Sequence, residues 1–176
     1  MSESSAAGAR LSRALSVLVV LALLLLLVRV FVASPMRIRT GSMSPTLTAG
    51  EHVLAEKVTR RDHDWRRGDI VAFRIDGRGD ILVKRVVALD GDAVGLEDGR
   101  LVVNGDRVTE PYTDVDAIDS VYFGPVTVPA AHLFVMGDNR ANSRDSRVFG
   151  PVADSDVMAR VSVRLWPLPP SRTGLR

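Results

Sequence analysis

Two residues of this sequence combine nucleophilic and basic potential, Ser42 and Lys84. The chain has no cysteine, which removes thiolate nucleophiles, disulfides and iron–sulfur clusters together. Of its 23 basic residues all but Lys57 and Lys84 are arginine. A guanidinium keeps its proton near neutral pH, whereas an amine can lose it when buried. Lys84 lies in the run ILVKRVVAL, residues 81–89. Strand alternation places it on one face with Leu82 and Val86, and Arg85 on the other with Ile81, Val83 and Val87. Burial between aliphatic neighbours lowers an ammonium pKa. From an ordinary value of ~10.4, where roughly one amine in 2,500 is neutral at pH 7, each unit of lowering gives tenfold more free base. The pattern alone also permits a lysine at a sheet edge, its stem on Leu82 and its head in water.

The serine lies in Thr40-Gly41-Ser42-Met43-Ser44-Pro45-Thr46-Leu47. Gly41 allows close approach of another chain, and Pro45 biases Ser44 to an extended form. Such a segment can present a hydroxyl beside backbone N–H groups, or be an ordinary turn. A third polar cluster, GDNRANSRDSR over 137–147, follows an apolar strand. Within it Asp138, Asp145 and Arg147 have the charges for an internal ion-pair network, and Ser143 can hydrogen-bond a polar neighbour.

Other chemistries fit less well. The run DVDAID at 114–119 lacks the glycine and glutamate that a calcium loop needs at its sixth and twelfth positions. His52, His63 and His132 are not paired at metal-ligand spacing. No metal and no cofactor is expected. A net charge of +2 does not argue for nucleic acid.

Positioning falls to two kinds of segment. Residues 14–33 are apolar apart from Ser16 and Arg29, and twenty helical residues span roughly 30 Å, a bilayer core. A cleaved leader would want a small residue where Phe31 stands. The reading is a short tail over 1–13, a transmembrane anchor over 14–33, a β-rich domain over 34–166 and a loose tail over 167–176. Arg10 and Arg13 on one side balance Arg37 and Arg39 on the other, so charge leaves orientation open. Beyond the anchor, strand-like runs at 52–58, 69–74, 81–89, 101–103, 107–108, 132–136 and 157–166 alternate with turns, among them a hairpin at Asn104-Gly105. They predict a mainly β fold, an antiparallel sandwich or open barrel.

Four segments carry a resemblance: Ser42-Met43-Ser44-Pro45-Thr46-Leu47, Gly68-Asp69-Ile70-Val71-Ala72-Phe73, Val83-Lys84-Arg85-Val86-Val87, and Gly137-Asp138-Asn139-Arg140 through Asp145-Ser146-Arg147. In this order they resemble the type I signal peptidases, membrane-anchored serine proteases that remove signal peptides from secretory preproteins. The resemblance implies Ser42 as nucleophile and Lys84 as general base, with an oxyanion hole from the Ser42 N–H and the Thr40 hydroxyl. It implies Ser143 as the residue orienting the lysine, and Asp138, Asp145, Arg147 and Arg85 as structural support. Ala141 departs from the family, where Asp is common. Substrates of the family carry small residues at the first and third positions before the cut. Met43, Val53, Ile70 and Val83 are the expected pocket walls. The implied location is the cell membrane, N-terminus inside and catalytic domain outside, with the bilayer and secretory preproteins as partners. Two alternatives remain. One is a LexA-like self-cleaving Ser/Lys protein, disfavoured by the apolar N-terminus. The other is a non-catalytic membrane-anchored β domain.

Overall fold

The computed structural model describes residues 13, 15–27, 33–57, 64–75, 79–113 and 121–166, the Val163 side chain excepted. Eleven strands are described. In chain order they are β1 (Ala33–Arg37), β2 (His52–Glu56), β3 (Ile70–Phe73), β4 (Leu82–Ala88), β5 (Ala93–Glu97), β6 (Arg100–Val103), β7 (Asp106–Arg107), β8 (Phe123–Thr127), β9 (His132–Met136), β10 (Val152–Ala153) and β11 (Val157–Trp166). One sheet has the order β1-β2-β11-β3-β4-β9-β10 and a second the order β7-β6-β5-β8, with antiparallel pairing throughout. The fold is mainly β, as the alternating runs predict.

β4 explains why the sheets form one body. It lies between β3 and β9, and β-branched residues suit that doubly covered position. Leu82 and Val86 pack with Val71, Phe73 and Val135, while Val83 packs with Ile70 and Ala72, as strand alternation requires. The register then slips between Val86 and Ala88. Val87 and Ala88 consequently both enter the cluster formed with Val94, Leu96, Leu101 and Val103 of the second sheet. Burying each such valine or leucine contributes about 1.5–3 kcal/mol. β6 and β7 turn over Asn104 and Gly105, both at positive φ (56° and 86°), the pairing expected of a two-residue hairpin.

β1, β5, β8 and β10 have no counterpart among the strand runs of the sequence. β1 takes up Ala33, which the apolar pattern assigns to the anchor. Residues 15–27 are helical with their leucines at least half exposed, such as Leu15 at 61% and Leu25 at 71%. Among the described residues no helix is long and apolar enough to cross a membrane. Residues 1–12, 14 and 28–32 of the expected tail and anchor, and the tail at 167–176, lie outside the described residues, as do the acidic run 114–119 and His63.

Candidate active site

The turn after β1 and the middle of β4 meet at Ser42 and Lys84. Lys84 Nζ lies 2.6 Å from Ser42 Oγ and donates to the Val83 carbonyl at 3.1 Å. Ser42 is 9% and Lys84 3% exposed, so the amine is not at a wet sheet edge. Burial lowers the Lys84 pKa below the ordinary 10.5 and outweighs the negative charges of Asp145 and Asp138, which pull it upward. Thr40 Oγ1 is 3.2 Å from Ser42 Oγ.

The serine is held through its backbone. Ser44 N donates to Gly41 O (3.1 Å) and Leu47 N to Met43 O (2.9 Å), closing the turn. Asn139 clamps it from the other side: its N–H donates to Ser42 O (3.1 Å) and its Nδ2 to Gly41 O (3.3 Å). The two segments approach so closely that a Cβ on Gly137 would collide with the Ser42 carbonyl oxygen and with Ser143 Oγ. Ser143 therefore lies beside the serine. Its buried hydroxyl makes no well-formed hydrogen bond, although it is near enough to Asp145 to favour the charged carboxylate. The described partners of the Lys84 amine are Ser42 and Val83, not Ser143.

Buried ions support this meeting point. Arg85, on the strand face opposite Lys84, grips Asp138 with two bonds of 2.8 and 2.7 Å and donates to Gly68 O. Asp145 accepts from Gly137 N at 3.0 Å and from Arg147 Nε and Nη2 at 2.8 and 2.9 Å. It also caps the one-turn helix Ser146–Phe149. Burial opposes its ionisation, but these bonds and the Arg147 charge prevail and hold its pKa below the ordinary carboxylate value. Sequence reasoning missed a further set. Arg140 forms a bidentate pair with Glu110 at 2.7 and 2.5 Å, both about 1% exposed, and the Tyr112 hydroxyl donates to Glu110. Arg85 stacks on the Tyr112 ring, 3.8 Å from its centroid. Burial and Glu110 push the Tyr112 pKa far upward, so its hydroxyl keeps the proton it donates. One acid, one tyrosine and two arginines that pair or stack when buried were the available signal, but Glu110 and Arg140 are thirty residues apart.

A cavity of about 340 Å³ opens beside the serine and lysine. Met43 and Val83 line it, but Val53 and Ile70 do not; they are fully buried behind it in the core. The apolar wall is completed by Met36, Ile38, Ile81 and Leu82. Val53 and Ile70 share the strand composition of wall residues, and only the layering of the sheet separates the two sets.

A serine hydroxyl against a buried amine, over an apolar cleft, is a geometry suited to acyl transfer. The sequence model described as signal peptidase, peptidase S26, matches residues 11–166. The chain belongs to this signal peptidase family. It is 38% identical to a probable signal peptidase I-2 of Synechocystis over 84% of this chain and 69% of that protein. It is 39% identical to a signal peptidase I of Bacillus licheniformis over 74% of each chain. The crystal structure of a signal peptidase I from Enterococcus faecalis superposes with a TM-score of 0.50 at 30% identity, covering 55% of this chain and 96% of that one. As a member of the signal peptidase family the chain is a serine peptidase, and the matched stretch contains every residue of the site described above.

Proposed function

We propose that this protein is a membrane-held signal peptidase I that cleaves signal peptides from secretory preproteins after small residues, with Ser42 as nucleophile and Lys84 as general base. Lys84 Nζ at 2.6 Å from Ser42 Oγ is the observation that carries the reading. A neutral amine accepts the hydroxyl proton as the Ser42 Oγ–carbon bond forms at the scissile carbonyl. The resulting oxyanion is met by the Ser42 N–H and the Thr40 hydroxyl. The C–N bond breaks as the Lys84 ammonium returns its proton to the leaving amine. Water then attacks the acyl-enzyme, giving its proton to Lys84, and the Ser42 oxygen leaves and regains a proton from the ammonium. Asp138, Asp145, Arg85 and Arg147 keep the two segments in register, and Ser143 is the candidate to orient the amine by rotating its free hydroxyl.

Exposed leucines over 15–27 support an N-terminal anchor; by resemblance to the family the catalytic domain would lie on the extracytoplasmic face, where tethering would raise the effective concentration of a membrane-bound substrate. Family membership favours this reading over a LexA-like protein or a non-catalytic domain. The test is processing of a preprotein in detergent by wild type, Ser42→Ala and Lys84→Ala. Each substitution is expected to lower kcat on the order of a thousandfold or more. Undiminished cleavage by either variant refutes the dyad.

A further inference from the structure

The cleft has a charged lining as well as an apolar one. Its apolar wall includes Ile38, Met43 and Val83. Its charged lining is Arg37, Arg39, Arg74 and Asp80, with Lys84. Arg39 and Asp80 pair with each other at 3.0 Å across the opening. Arg37 and Arg74 have no carboxylate partner among the described residues, and Arg74 Nε is buried without a hydrogen bond. A half-buried guanidinium without a carboxylate partner at a groove favours an anionic occupant.

The register places Arg74 along the cleft. Phe73 pairs with Leu82, so the next residue, Arg74, stands level with Ile81, three residues from Lys84 on the strand. At ~3.3 Å per residue that is roughly 10 Å along the strand from Lys84. An extended substrate arm whose first and third side chains meet Met43 and Val83 turns its fifth side chain to the same face, roughly 13 Å beyond the first and within an arginine side chain's reach of Arg74.

Resting on the function proposed above, we infer that Arg74, aided by Arg37, is a specificity-determining residue that receives an acidic side chain at the fifth position before the scissile bond. The arginine fork suits a carboxylate, and neither Arg74 nor Arg37 has one among the described residues.

The test compares peptides that differ only in Glu, Gln or Lys at that position, cleaved by the detergent-solubilised full chain. The Glu peptide is expected to show about threefold lower KM than the Gln peptide, the scale of a partly exposed ion pair, and the Lys peptide a higher KM. The difference should shrink in high salt. Arg74→Glu should invert the order, Arg74→Lys should keep it, and Arg74→Gln should level it. Equal KM values in the wild type, or a Glu preference untouched by Arg74→Gln and Arg37→Gln, would overturn the inference while leaving the peptidase reading intact. Cleavage of none of the peptides would overturn both.

Discussion

Lys84 and Arg85 are consecutive on β4, both almost fully buried, yet they are satisfied in opposite ways. Arg85 is locked to Asp138 by a two-pronged ion pair, whereas the Lys84 amine meets the Ser42 hydroxyl and the Val83 carbonyl oxygen. A paired guanidinium stays charged when dry, but an amine facing neutral oxygens is driven to give up its proton. One strand thereby carries both a structural cation and a candidate base.

The first prediction concerns pH. In the proposed mechanism neutral Lys84 is the reactive form, so kcat/KM should rise with pH and level off below the ordinary lysine value of 10.5. The stability sign follows from the same lowering. The unfolded chain binds the proton more tightly, so this group penalises folding most below its folded pKa, and the penalty fades as pH rises toward the unfolded value. Lys84→Met should therefore be inactive yet more stable than wild type at neutral pH in urea titrations. A pH–rate limb at an ordinary lysine pKa, or a less stable Lys84→Met, would count against a desolvated amine.

Gly137→Ala is expected to separate the serine turn from the last motif. The added methyl meets the Ser42 carbonyl oxygen and the Ser143 side chain, and backbone has no room to yield. Overpacking of this kind costs about 1–3 kcal/mol. A displacement of the nucleophile near 1 Å costs about a hundredfold in rate. Thermal melts and single-turnover cleavage of the variant check both; unchanged cleavage would show that the contact is not needed.

Asn139→Ala removes the side-chain bond to Gly41 O and the one accepted from Asn142 N, but keeps the backbone bond to Ser42 O. The stability loss should be about 1 kcal/mol. The kcat should fall by about tenfold with KM nearly unchanged, because the serine is loosened and the cleft is not. A change confined to KM would contradict the clamp.

Glu110→Gln should be strongly destabilising. It strands the Arg140 guanidinium, at 1% exposure, without its carboxylate. Breaking a buried pair from one side costs about 3–5 kcal/mol, whereas replacing both partners with apolar residues costs less. Glu110→Leu with Arg140→Met should therefore exceed the single variant in urea midpoint. The reverse order would argue that the pair is not truly dry.

Residue periodicity sufficed for β2, β3, β4, β9 and β11, and Asn104-Gly105 for the tightest hairpin, because alternation and positive φ are local properties. The residue types and order of four short segments likewise sufficed to point to the family. β5 and β8 escaped because Gly95, Gly124 and Pro125 interrupt the apolar pattern. Gly95 and Gly124 sit where each strand backbone crowds the other, a contact visible only once they are paired. Residue chemistry does not sort the cleft wall from the core, since Val53 and Ile70 resemble Met43 and Val83 and differ only in layer. The 2.6 Å approach of Lys84 to Ser42, forty-two residues away, belongs to the tertiary structure. So does the dryness that lowers the Lys84 pKa. Local sequence sets which groups a strand or turn presents, but desolvation and long-range pairing arise only when distant segments exclude water together.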